Sequence, residues 1–159
     1  MTDRAYGVAT PDQIAGLSGL EILQAIIAGR LPQATISQRL DFWIVEAREG
    51  YAVFEGQPSA GLLNPMGTVH GGWSLTLIDS ATGCACLTLQ PPGVGYTTVE
   101  TKGNFTRAIT AKTGRVRCEG RVIAAGKQIV TTEARILDSD GRVLSHGTST
   151  LLVLPPRSA

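Results

Sequence analysis

Three patterns of apolar positions succeed one another along the chain. After fifteen polar and irregular residues, LEILQAIIAG places apolar side chains at helical spacing, with Ser18 as N-cap and Gly29 as stop. Leu31-Pro32 breaks that short helix. Ile36 to Glu46 (ISQRLDFWIVE) and Tyr51 to Glu55 (YAVFE) then read as two extended runs around a turn at Arg48-Glu49-Gly50, a hairpin. A loop rich in Gly, Pro and Asn leads to His70. Gly71 to Leu89 (GGWSLTLIDSATGCACLTL) follows, and its nineteen residues before Pro91-Pro92 favour a helix over a strand. Asp79 is its only charge, and a helix apolar on every side has to be enclosed by other elements. Four further extended segments supply the enclosure: Thr97 to Ile109, Gly114 to Ala124, Gln128 to Leu137 and Arg142 to Leu154. Turn signals such as Ala125-Gly126 and Asp140-Gly141 separate them. In the second, Arg115, Arg117, Glu119 and Arg121 alternate with Val116, Cys118, Gly120 and Val122. The links after the long helix are too short for parallel crossovers, so the sheet is expected to be antiparallel and curled around the helix. The class is α+β.

The length of 159 residues suits one domain. Residues 1–33 read as an extension carrying the short helix, 34–154 as the domain, and 155–159 (PPRSA) as a frayed tail. Fourteen basic against thirteen acidic residues leave a net charge of +1, which supplies no global field for nucleic acid or an anionic membrane. Charged residues are only 17% of the chain, below the roughly 25% usual in soluble domains, which fits surface buried in an oligomer. No apolar run approaches the ~18 residues of a membrane span, and the opening MTDRAYGV lacks the blocks of a secretory signal, so the expected location is cytoplasmic. Cys84, Cys86 and Cys118 lack paired zinc spacing and read as buried small residues.

Phosphate-loop and serine-hydrolase signatures are absent, and Gly93-Val94-Gly95-Tyr96 does not complete a dinucleotide fingerprint. With only His70 and His146, neither in a ligand motif, no metal site is expected. The informative stretch is Asn64 to Asp79 (NPMGTVHGGWSLTLID). Free N–H groups at a helix N-terminus carry partial positive charge, and glycine lets a ligand oxygen approach, so the Gly71 N–H is a candidate oxyanion donor. Spacing alone equally allows Gly71-Gly72 to be a tight turn. Asp79 is the sharper signal, because a carboxylate in an apolar helix is costly unless it has partners or a task. The alternative is that it caps a second short helix at Asp79-Ser80-Ala81-Thr82. Asp79 lies eight residues beyond Gly71, about 12 Å along a helix axis. If both act on one carbonyl, Asp79 must meet the Gly71 of a neighbouring chain, which calls for an isologous dimer.

At these residues the sequence resembles the hotdog-fold acyl-CoA thioesterases, in the branch related to the phenylacetate-pathway thioesterase (PaaI-like). The motif is Asn64, then Gly67-Thr68-Val69-His70-Gly71-Gly72, then Asp79 nine positions after the histidine. Weaker likeness runs through Thr98-Val99-Glu100, Asn104-Phe105, Gly126-Lys127 and Asp140-Gly141-Arg142, over roughly Ile36 to Leu154. The resemblance implies a long helix wrapped by an antiparallel sheet, homodimers that join sheets edge to edge and share active sites, and homotetramers built from them. It implies an acyl-CoA substrate of aromatic or short to medium chain, and no cofactor. It assigns Asp79 as nucleophile or general base, Gly71 as oxyanion donor, Asn64 as a holder of the carbonyl or water, His70 as orienter of the loop, and Thr98 as a hydroxyl near the water, with Thr97 as the fallback. Gly72, Trp73, Thr97, Arg107 and Lys127 fall to substrate binding. Lys102 and Arg121 are further cations for the nucleotide, while the Arg-Pro that the family often has at Arg107 is broken here by Ala108. Glu100 reads as an edge charge and His146 as a strand residue. Two other functions fit the same architecture: an acyl-thioester dehydratase or hydratase pairing His70 with Asp79, and a non-catalytic acyl-CoA sensor.

Overall fold

The computed structural model describes residues 4–156, so the fraying expected of the tail lies, for residues 157–159, outside the described residues. The helix expected from Ser18 forms as α2 (Gly19–Ile27), after a single helical turn, α1 (Pro11–Ile14), in the segment expected to be irregular. Both begin with capping boxes, Thr10 with Gln13 and Ser18 with Glu21, and Pro11 occupies the first helical position, where its missing N–H costs nothing. Gly29 closes α2 with a positive φ of 74°.

The extended run expected from Ile36 divides. Thr35–Leu40 is a helix, α3, and only Phe42–Arg48 is strand, β1. Ile36 and Leu40 are spaced for one helical face as well as for alternation, and Asp41, in the left-handed region at φ 49°, ends the helix and redirects the chain. The hairpin partner β2 (Tyr51–Gly56) follows as expected. The long helix α4 spans Gly71–Leu87 without interruption, which excludes Asp79 as the cap of a separate helix. Four strands complete the chain: β3 (Gly95–Phe105), β4 (Val116–Ala125), β5 (Ile129–Leu137) and β6 (Val143–Leu154). Of the segment from Thr106 to Ile109, expected as strand, Thr106 and Arg107 still donate to the Leu144 carbonyl of β6, and the chain then turns inward, where Ile109 is buried and its carbonyl accepts from the Val69 N–H.

The strands form one antiparallel sheet in the order β1-β2-β4-β5-β6-β3. After α4 the chain crosses the whole sheet, so β3 pairs only with β6 and forms one edge, and β1 forms the other. All six strands pack on α4, which gives its apolar surface the enclosure it needs. Leu77, Ile78, Ala81 and Ala85 are fully buried against Phe42, Val116, Cys118 and Ile136. Gly120 faces the Ala81 carbonyl so closely that a Cβ has no room, and there the helix touches the sheet backbone. On the outer face Arg117 pairs with Glu46 at 2.9 Å and Glu119 at 2.7 Å. Cys86 and Cys118 are buried as expected; Cys84 is only half-buried. No described helix is long and apolar enough to cross a membrane.

Candidate active site

Asp79 occupies the face of α4 turned toward the β3 edge, and it is half-buried. Its Oδ1 accepts two hydroxyl hydrogen bonds from β3, from Thr98 at 2.9 Å and Thr101 at 3.1 Å. Residues three apart on a strand normally face opposite ways, but a bulge between Thr98 and Glu100 adds one residue and turns both hydroxyls inward. Thr101 has one proton, and Asp79 takes it. The Thr101 oxygen must therefore accept from Ser149, its cross-strand partner on β6, at 3.0 Å. The Ser149 hydroxyl lies in turn 2.9 Å from that of Thr82, which is fully buried on α4. The chain of hydroxyls orients Asp79 through Oδ1 and leaves Oδ2 without a protein partner among the described residues. No cation pairs with the carboxylate there.

Nearby acids do not compete with it. Burial, and then the charge of Asp79, push the Cys84 thiol up to about 12. Burial raises the Tyr96 phenol well above its usual range, and the neighbouring Cys84 and Asp79 add to the effect. Both stay protonated near neutral pH.

Two turns away, His70 caps α4. Its Nδ1 accepts from the Gly72 N–H at 2.9 Å, an acceptor role that places the neutral ring's proton on Nε2. The Trp73 N–H donates to the His70 carbonyl, and the Gly71 N–H has no partner among the described residues. Asn64 builds the preceding loop: its Oδ1 accepts from Met66 and Thr68 N–H, and its Nδ2 donates to the Thr68 hydroxyl at 2.9 Å. Gly67, at φ 79°, makes the turn that this ring of bonds requires. Gly71, Asn64, Ser74, Phe105 and Arg107 line a cleft of about 280 Å³. A Cβ at Gly71 would stand 3.0 Å from the Phe105 ring, so the glycine keeps the approach to its N–H open.

Of the residues singled out above, the structure thus joins Asp79 with Thr98, and Gly71 with Asn64 and Arg107. The unbroken helix keeps the two groups about 12 Å apart. His70 and Gly72 open instead onto a separate cleft with Leu62 and Trp73. Trp73 is a core residue, 3% exposed, whose indole N–H donates to the Leu40 carbonyl. Thr97 is exposed and makes no bond to Asp79. Lys127 sits in the β4–β5 turn, where the Gln128 carbonyl accepts from Val153 at the far end of β6 from Ser145, which borders the Gly71 cleft. That separation is roughly 26 Å along the strand, so Lys127 and Arg107 serve no common site within one protomer. Arg121 is paired with Glu133. Lys102 is exposed on β3, Glu100 is exposed at that edge, and His146 is exposed on β6. Thr101, Ser149 and Thr82 went unnoticed in the sequence; the available signal was the pair of threonines flanking Val99-Glu100.

Residues 66–145 match the model of the thioesterase superfamily. A conserved protein of Pseudomonas aeruginosa, PA5202, is 31% identical, over 76% of this chain and 94% of its own, with a TM-score of 0.70. The Escherichia coli PaaI protein from the phenylacetic acid degradation operon shares the fold at 22% identity, over 76% of this chain and 85% of its own, TM-score 0.69. So does smu.793 of Streptococcus mutans, solved bound to acetyl CoA, at 20% identity over 74% and 91%, TM-score 0.65. A six-stranded antiparallel sheet around one long helix is the hotdog architecture, and the chain belongs to the thioesterase superfamily, a family of thioester hydrolases.

Proposed function

We propose that the protein is an acyl-CoA thioesterase in which Asp79 is the base or nucleophile and the partner subunit supplies the oxyanion donor. The observation that carries this reading is the setting of Asp79: one carboxylate oxygen held by two hydroxyls, the other without a partner among the described residues. In the base route, Oδ2 takes a proton from water, and the hydroxide bonds to the thioester carbon. The carbonyl electrons move onto oxygen, which the Gly71 N–H of the second chain stabilises. Collapse of that adduct breaks the C–S bond. A thiolate with a pKa near ~8.5 leaves without a strong acid, so the spare site suffices and no cofactor enters the balance. In the nucleophile route the same oxygen bonds to the carbon directly, and water then hydrolyses the anhydride.

The 12 Å between Asp79 and Gly71 in one chain supports a homodimer with two shared sites, and the family likeness supports pairing of two dimers into a tetramer. Arg107, beside the Gly71 cleft, is the cation best placed for a coenzyme A phosphate. A dehydratase pairing His70 with Asp79 is disfavoured, because the Nδ1 of His70 is used by the helix cap and the ring opens onto another cleft. Thiol release from benzoyl-, phenylacetyl- and straight-chain acyl-CoAs tests the reading. Wild type should turn over at least one class, and Asp79→Asn should lose roughly 10²–10⁴-fold. Near-normal turnover in Asp79→Asn overturns the assignment. Binding without thiol release by the wild type would identify a sensor.

A further inference from the structure

A further cavity lies away from both groups described above. It lies between the end of α2, the first described residues and the outer edge of β1, is open to solvent on one side, and has a volume of about 460 Å³. That is within the ~300–1,000 Å³ range of small-molecule sites. Ile26, Ile27, Leu31 and Val45 give it apolar walls, and Trp43 forms one side. Two polar groups converge on it.

The first is Gln33, 6% exposed and fixed from three directions. Its backbone N–H donates to the Ala5 carbonyl, and its carbonyl accepts from the Gly7 N–H, which fastens the first described residues across the cavity. Its side-chain Oε1 accepts from the Ile44 N–H at 3.2 Å. Because a backbone donor sits on Oε1, the orientation of the amide is set, and Nε2 must be the end that remains. Nε2 makes no hydrogen bond among the described residues, yet no side-chain nitrogen there is both fully enclosed and unpartnered, so its protons open onto the cavity. An amide donor on an otherwise buried side chain, with no protein acceptor among the described residues, is a ready partner for a ligand oxygen. The second group is Arg4, whose guanidinium lies 4.1 Å over the Trp43 ring and lines the same space. Stacking orients the cation, and its in-plane N–H donors have no partner among the described residues.

We infer that this cavity is a second ligand site, separate from the thioesterase centre, for a small monocarboxylate with a compact apolar body. The carboxylate meets the Gln33 Nε2–H and the Arg4 guanidinium, and the apolar body fills the space between Ile27, Leu31 and Val45. Both polar groups are donors, so an anion or carbonyl is accommodated and an amine is not.

Titration of the full-length, isotope-labelled protein with sodium hexanoate and sodium phenylacetate tests the site by binding, apart from turnover. The expected result is saturable shifts of the Gln33 side-chain amide and the Trp43 indole resonance, with a Kd of about 1 mM or tighter. The matching primary amides should bind about tenfold more weakly, through loss of the charge-assisted contacts. Ile27→Trp, at a position 36% exposed, should fill the cavity and abolish the shifts. Arg4→Met, which keeps an unbranched apolar cover over Trp43 and removes the charge, should weaken carboxylate binding about tenfold without altering amide binding. Absence of saturable shifts overturns the inference. So do equal affinities for acid and amide, or shifts confined to residues around Gly71 and Asp79.

Discussion

The two edges of the sheet are treated in opposite ways. At β1 the edge is covered: α2 packs over it, Gln33 satisfies the Ile44 N–H, and a bulge between Ile44 and Glu46 breaks the row of free backbone groups. At β3 eleven residues run along an open edge, and Val99 and Phe105 are exposed there at 63% and 54%. A long uncovered edge is a template for pairing with another chain, and most proteins blunt it with charge, bulges or a covering element. Here the chain covers one edge and leaves open the one that carries Thr98 and Thr101. The bulge on β3 aims those hydroxyls at Asp79, whereas the bulge on β1 serves to close the edge. If the protein forms the proposed dimer, β3 is the expected assembly edge, and the proposed site and the subunit contact then share one strand.

Breaking the open edge should have the largest effect. Val99→Lys places a charge in the pairing row and is expected to give monomers by light scattering, with thiol release down roughly 10²–10³-fold, the magnitude of a lost oxyanion donor. Arg48→Glu, on β1, should leave both unchanged. Gly71→Pro comes next. The first helical position tolerates proline, and His70 at ψ 134° already has the conformation that a following proline prefers, so the change removes the N–H with little backbone cost. Activity should fall about 10²-fold in kcat. Gly71→Ala, which crowds the same Phe105 ring but keeps the donor, separates the two effects.

Smaller losses should follow from the hydroxyls that position Asp79. Thr101→Val is expected to lower kcat about tenfold at unchanged KM, and Thr101→Ser to restore it, because only the hydroxyl orients Oδ1. The smallest effect belongs to the covered edge. Ser18→Ala removes the cap of α2 and should cost about 1 kcal/mol in denaturant unfolding, with kcat and KM unaltered.

The sequence exposed those features whose signal is local. A capping serine followed three residues later by glutamate marks α2, and one carboxylate in an otherwise apolar helix marks Asp79. The helix α3 escaped because Ile36 and Leu40 fit both periodicities, and Asp41, which decides the matter by adopting φ 49°, carries no apolar signal. Thr101 escaped for a different reason. Strict alternation puts it on the opposite face from Thr98, and only the bulge at Val99, set by pairing with β6, reverses that. The placement of β3 beside β6 depends likewise on contacts distant in the chain. Ser149 enters the site because it pairs with Thr101 across those strands, and neither residue announces the other. The second cavity follows the same rule: Arg4, Gln33 and Trp43 meet only through folding.

In the proposed dimer, one active site draws Asp79 from one chain and Gly71 from the other. This arrangement is tested most directly by mixing two inactive variants, Asp79→Asn and Gly71→Pro, under conditions that exchange subunits. Half of the dimers are then mixed, and one of the two sites in each contains an intact Asp79 and an intact Gly71. Thiol release should recover to about a quarter of the wild-type rate. Mixed dimers that form and stay inactive would contradict the shared site.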